Sequence, residues 1–382
     1  MSNPMQSATT RRPARGFTLI ELMVGMVIGL LTTLVIAQML VVSEGHRRTT
    51  ASGSEAQVNG ALALYAIQRD VQMAGYGMTT AADGIGCAIR ARRGGVDYNF
   101  TLAPVIITNG AAGAPDRLLV MSSAKASYSV PARIVTSHPR TAANFFLSTT
   151  VGVAEGDLMI AVPGVVDANN WCSVFNVTGI GGASQVIHNP NNGNATPGPW
   201  NEPGGSSIFP VDGYGVIGSY PSDLTKGSYV VNLGQFVTRD IGIGATQSLE
   251  IAVFSTAAVA TTTDDLFPDI VNLQAFYGKD TDGNGVVDTY DNVTPTTPVG
   301  WRQVLNVRVA VVARSGQRQK DIVTSSEPLW DVGNATTVVG AAACGGTSRC
   351  VTLKIDTLPE WQYYRYKVYD SIVPLRNMLW RS

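Results

Sequence analysis

Between Asp280 and Asp291 the chain reads Asp-Thr-Asp-Gly-Asn-Gly-Val-Val-Asp-Thr-Tyr-Asp. Side-chain oxygens fall at positions 1, 3, 5, 9 and 12 of this stretch, with glycine at 6 and an aliphatic residue at 8. Calcium takes roughly six to eight hard oxygens, and a tight glycine turn curls alternate side chains round one point. The spacing therefore predicts a calcium site built from Asp280, Asp282, Asn284, the backbone carbonyl of Val286, Asp288 and Asp291. Four carboxylates this close would otherwise repel one another. Asp291 is shorter than the glutamate usual at its place, so affinity is expected to be modest, on the order of 10⁻⁴–10⁻³ M as in extracellular modules. Such an ion would be structural rather than a signal. The preceding segment, Ile270 to Tyr277, reads as a strand at least as much as a helix, which argues against a helix–loop–helix module.

A second carboxylate stands out by its setting. Residues 17–42 are apolar and long enough to span a bilayer, apart from Glu21 near their start. A charge embedded in lipid is costly, and a chain that keeps one is expected to give it a partner. Arg11, Arg12 and Arg15 precede the run, with no acidic residue among the first sixteen. That asymmetry keeps the N-terminus in the cytoplasm and sends the remainder across the membrane. An ordinary secretory signal has a shorter apolar region and ends in small residues of the A-x-A kind, which this one does not.

Arg15-Gly16-Phe17-Thr18-Leu19-Ile20-Glu21-Leu22-Met23 resembles the prepilin leader-peptidase site of type IV pilins and type II secretion pseudopilins. The resemblance implies cleavage between Gly16 and Phe17 by prepilin peptidase and methylation of the new terminal Phe17. It also implies that Glu21 pairs with a neighbouring subunit's terminal amine during assembly.

The elements that hold these groups follow from pattern. The apolar span is expected to continue as one helix to about Ala74, with Ala61, Leu64, Ile67, Val71 and Ala74 on its buried face. Gly75-Tyr76-Gly77 ends it. Beyond, short strands alternate with turns: 116–121, 157–162, 228–233, 248–254 and a longer one at 303–313 with valines at alternate positions. Residues 189–205 read as an irregular loop. The fold class is α+β, a long N-terminal helix packed on an antiparallel β-rich domain. The expected organisation is a leader at 1–16, a membrane segment at 17–42, a periplasmic helix at 43–75, a β-rich region at 76–265 and a C-terminal β region at 266–382. The last boundary rests on Thr-Thr-Thr-Asp-Asp at 261–265, which interrupts the β pattern.

Four cysteines, Cys87, Cys172, Cys344 and Cys350, allow three pairings in an oxidising compartment. Cys344 and Cys350 flank a short turn between β-prone stretches, which favours a local bridge and leaves Cys87 for Cys172. Only 14% of the residues are charged and the formal net charge is −1, so there is no basic stripe and no nucleic-acid partner is expected. His46, His138 and His188 have neither mutual spacing nor neighbouring acids that suggest zinc or a triad. Gly213-Tyr214-Gly215-Val216-Ile217-Gly218 matches a dinucleotide fingerprint as a string, but the Ser-Tyr-Pro after it cannot open the required helix. No nucleophile–base or paired-acid arrangement indicates an enzyme.

Tyr277-Gly278 with the acidic loop, then Trp301 and a valine-rich strand ending Ala313-Arg314-Ser315, is similar to PilW-type minor pilins. So are Tyr363-Tyr364-Arg365 and Ile372-Val373-Pro374-Leu375-Arg376-Asn377. This resemblance implies a minor pilin of the inner membrane of a Gram-negative bacterium that moves to the pilus. Its implied partners are other minor pilins and the major pilin in an assembly-priming tip complex, with a large tip adhesin. The alternative is a type II secretion pseudopilin. A DNA-uptake pilin and a membrane-anchored calcium-dependent enzyme rank below it.

Overall fold

A computed structural model describes residues 16–78, 84–125, 130–190, 198–201, 208–257, 260–334 and 337–379. The chain divides into two units, residues 1–52 and 53–382. One helix, Leu19–Gln72, begins in the first and ends in the second. In the first unit every described side chain from Phe17 to Val42 is exposed, and the helix is long and apolar enough to cross a membrane. Thr32 and Thr33 turn their hydroxyls back onto the carbonyls of Ile28 (2.6 Å) and Leu30 (2.9 Å), so neither leaves an unpaired donor in an apolar setting.

In the second unit the helix is held by a stripe of small residues. Ala56, Gly60, Ala63, Ile67, Val71 and Ala74 are buried at helical spacing. This corrects the expected face in its first turns: Ala61 is exposed and Ala63 takes its place. At Gly60 the helix lies too close to the sheet even for a Cβ, which would stand 2.3 Å from Tyr369 Cε2, so this part of the stripe is selected by size rather than by hydrophobicity. Gln68 Nε2 donates to Ser371 Oγ (2.5 Å) and Asn377 Nδ2 to the Ala74 carbonyl (2.9 Å), fixing the helix end. Gly75 and Gly77 adopt φ of 74° and 71°, the left-handed conformation that stops the helix where expected.

The helix shares one core with two five-stranded sheets. One has the order 337–338, 289–291, 270–279, 304–314, 366–374, and the other 260–268, 248–255, 236–243, 117–123, 105–108. The Val304–Arg314 strand gives that core Val304, Val307, Val309, Val311 and Ala313. Asp116 clips the two sheets together. Its carboxylate accepts from the backbone N–H groups of Gly110 and Ala275, both at 2.8 Å, and its own N–H donates to the Leu273 carbonyl (2.8 Å).

A nine-stranded sheet built mainly from residues 88–234 carries separate cores. Its central strands, Leu158–Val162 and Cys172–Asn176, are buried along their whole length. Cys87 is bonded to Cys172, and Cys344 to Cys350 within a small three-stranded sheet. Most strand pairs are antiparallel; 88–90 with 172–176 and 289–291 with 337–338 run parallel.

The expected boundary at 261–265 is not there. Ala260–Pro268 is a strand paired antiparallel with Ser248–Ser255 along its whole length, with one register shift between Leu249 and Glu250. It is an exposed edge strand, and polar side chains are tolerated where both faces meet water. Most of the 189–205 loop lies outside the described residues.

Candidate functional site

Two constellations carry the chemistry. At the N-terminal end, Gly16 and Phe17 precede the helix in an open, non-helical stretch, and Phe17 is 88% exposed. Thr18 and Glu21 form a reciprocal capping pair. Glu21 Oε2 accepts from the Thr18 N–H and from its hydroxyl, each at 2.9 Å, while Thr18 Oγ1 accepts from the Glu21 N–H at 3.3 Å. The Thr-x-x-Glu spacing is legible in the sequence, but the apolar surroundings of Glu21 drew attention to intermolecular pairing instead. Within one chain the carboxylate already has local donors that lack a full charge. Gly16, Phe17 and Glu21 thus sit within six residues at an accessible helix start, which is what a peptidase acting at that bond and a partner reaching that acid both need.

The second constellation is the acidic loop between strands Ile270–Lys279 and Thr289–Asp291. Its ends are pinned by Asp280 N–H to the Gln303 carbonyl (2.8 Å) and Asp288 N–H to the Lys279 carbonyl (2.9 Å). Gly283 and Gly285 take φ of 78° and 84°, and so turn the backbone around Asp280. Asp280 accepts from Gly283 N–H (2.7 Å) through one oxygen and from Gly285 N–H (2.7 Å) through the other. Asp288 Oδ2 accepts from the Thr281 N–H (2.6 Å) and hydroxyl (2.7 Å). Burial works against ionisation of Asp280, but the Gly285 and Gly283 N–H groups prevail and hold its pKa below the ordinary value. The Thr281 hydroxyl and N–H do the same for Asp288. Carboxylate oxygens of Asp280, Asp282 and Asp288 all lie within 4.8 Å of one another.

That set fits a hard divalent cation, since three carboxylate oxygens stand close together in one turn. Asn284 lies in the same turn with its Oδ1 accepting from Val286 N–H (2.7 Å), and Val286 projects its side chain to solvent. Asp291 departs from the expected ligand set. It sits in a strand opposite Tyr277, and its carboxylate is ion-paired with Lys279 Nζ at 2.6 Å. The two-strand ladder closes before the twelfth position, so β pairing withdraws the residue that a helix would have turned inward.

The structure also joins two residues that the sequence left apart. His138 and His188 meet through their Nε2 atoms at 2.9 Å, both buried. Phe145 stacks on His138 at 3.7 Å between ring centres, and Phe175, Phe209 and Tyr214 complete the enclosure. Among the described residues no acid enters this group, and it reads as a packed aromatic core. His46 lies outside the residues whose side chains are described.

Residues 236–377 match the family described as Type IV Pilus-assembly protein W, and residues 11–37 match the prokaryotic N-terminal methylation motif. The chain thus carries a PilW-like C-terminal region behind a prepilin-type N-terminus. No curated protein and no solved structure matches it. The PilW match takes in the acidic loop, the five-stranded sheet that carries it and three strands of the other. The methylation-motif match takes in Gly16, Phe17 and Glu21. Together with the long apolar helix, the two matches fit a membrane-anchored pilin.

Proposed function

We propose that the chain is a minor pilin cut between Gly16 and Phe17 by prepilin peptidase, anchored in the inner membrane of a Gram-negative cell with residues 43–382 in the periplasm. It then joins other minor pilins and the major pilin in the complex that initiates the pilus and stands at its tip. Adhesion through a large tip protein and twitching motility follow from that position. The observation that carries this reading is the exposed Gly16–Phe17–Glu21 start on an apolar helix, in one chain with a PilW-like domain. Assembly exchanges the Thr18 donors of Glu21 for the full charge of a neighbouring Phe17 amine, an exchange favoured where water is excluded. A secretion pseudopilin would share the N-terminus, and loss of secretion with intact pili on gene deletion would assign the chain there.

Two variants separate processing from assembly. Gly16→Leu is expected to leave the leader attached, seen as an intact mass that still includes residues 1–16. Glu21→Ala is expected to give the normal mature mass but few or no pili by electron microscopy. A normal mature mass in Gly16→Leu, or full piliation in Glu21→Ala, would reject the assignments.

We also propose that the acidic loop binds one calcium ion through Asp280, Asp282 and Asp288, with Asn284 and the Val286 carbonyl completing the shell and Asp291 outside it. The closeness of three carboxylates supports this reading. When bound, the ion cross-links the two strands that the loop joins. Wild type is expected to melt several degrees higher in millimolar calcium than in chelator. Asp280→Ala with Asp282→Ala should abolish that difference, whereas Asp291→Asn should retain it. A calcium-insensitive wild type would remove the site.

A further inference from the structure

A cavity of about 460 Å³ opens between the nine-stranded sheet and the five-stranded sheet that ends in Ala260–Pro268. Its depth is apolar: Leu158, Val174, Leu233 and Met121 are buried there with Trp200. Aromatic rings form its walls. Tyr98 meets Trp200 edge-on at 5.1 Å and stacks with Phe254 at 6.2 Å, and Phe100 stacks on Phe236 at 5.3 Å. Asn99 and Thr261 stand exposed at the mouth. Among the described residues no charged side chain lines it.

The volume falls inside the roughly 300–1,000 Å³ span of small-molecule sites. It is about three times that of an engineered apolar cavity known to stay dry and take up benzene. A sugar or nucleotide would set its hydroxyls or phosphates against leucine, valine and methionine, leaving them unpaired. The polar side chains in the lining are Asn99, Thr238, Thr256 and Thr261, and Thr256 is already bonded to the Phe236 backbone. One cation lies beside the walls. The Arg93 guanidinium donates to the Thr256 carbonyl at 3.4 Å and sits 5.7 Å from the Trp200 ring centre. Among the described residues it forms no ion pair with a carboxylate. On the membrane anchoring proposed above, on which this inference rests, acyl chains are an abundant source of apolar ligand.

We propose that this cavity binds a single acyl chain with a carboxylate head, the chain lying against Trp200, Phe236 and Phe254 and the head on Arg93. The fork of guanidinium donors suits a carboxylate, and the uncharged depth suits the hydrocarbon.

The test uses full-length protein in lipid nanodiscs and a hexadecanoic acid carrying a terminal diazirine. After irradiation and digestion, mass spectrometry is expected to find adducts on peptides containing Trp200, Phe236 or Phe254, and excess hexadecanoate should compete them away. Labelling of residues 17–42 reports partitioning into lipid and should not change between variants. Val174→Trp fills the cavity and should suppress its labelling. Arg93→Glu, a change at a half-exposed residue that the core tolerates, should lower labelling by the acid about tenfold but not by the matching diazirine alcohol. Adducts confined to 17–42, cavity adducts that excess hexadecanoate leaves in place, or cavity labelling by the acid unchanged in Arg93→Glu would overturn the proposal.

Discussion

Gly60→Leu is expected to destabilise the domain formed by residues 53–382 by about 3 kcal/mol or more, and Gly60→Ala by a smaller amount of the same sign. The reason is distance. A Cβ at position 60 would lie 2.3 Å from Tyr369 Cε2 and 3.0 Å from Ala313 Cβ. Tyr369 belongs to the Tyr366–Pro374 strand and Ala313 to its neighbour Val304–Arg314, so both belong to the sheet itself. Local propensity points the other way, since alanine exceeds glycine inside a helix by about 1 kcal/mol. Gly53, in the same helix, has nothing within 4 Å of its would-be Cβ, so Gly53→Ala should stabilise where Gly60→Ala destabilises. Urea denaturation followed by near-ultraviolet circular dichroism reads both. Tyr369→Ala should restore part of the loss in Gly60→Leu, because the ring is the nearest obstacle. Equal midpoints for Gly60→Leu and wild type would mean that the helix does not lie where the buried stripe puts it.

That close approach also shows where sequence reading reached its limit. Periodicity located the helix, its glycine stop and the long valine strand because each is a local pattern. The Cys344–Cys350 bridge was legible for the same reason, and with two cysteines remaining the Cys87–Cys172 bond followed. The first turns of the buried stripe were misread because alanine and glycine at 56, 60 and 63 carry little hydrophobic signal; what selects them is the sheet 240 or more residues further along the chain. The acidic turn was found from its spacing, and the twelfth position was assigned from that spacing alone. The strand that leaves the turn instead gives Asp291 to Lys279. Thr261–Asp265 read as a break because its alternation is polar, and an edge strand exposed on both faces has no apolar side to display. Nothing in the sequence joins His138 to His188. Their meeting depends on an isolated bridge from His138 to Tyr214 and on the pairing of Gln185–Ile187 with Asn144–Leu147.

The histidine pair should make this domain acid-sensitive well above the pH at which carboxylates are titrated. Burial pushes the pKa of His138 down to about 4 and that of His188 to about 3, the latter helped by the charge that His138 would carry. Both are therefore neutral when folded, one donating and the other accepting at Nε2. In the unfolded chain they titrate near the ordinary value of about 6.5, so below that pH the unfolded state binds more protons and stability falls as pH falls. The loss begins near pH 6.5 and levels off only below the folded values. At pH 5 each histidine contributes a loss of about 2 kcal/mol. Asp116 opposes this. Its burial raises its pKa to about 6, against the two N–H donors that favour the ion, so it takes up a proton in the folded state before it does in the unfolded one. By the same linkage that proton returns roughly 1 kcal/mol at pH 5, less than the two histidines together remove. The net expectation is a melting temperature that drops between pH 6.5 and 4.5. His138→Phe with His188→Phe keeps the ring stack with Phe145 and removes both titrating groups. In that double variant the drop should vanish and a slight rise should appear, driven by Asp116 alone. If wild type and the double variant lose stability in parallel as the solution is acidified, the pair is not held neutral in the folded protein.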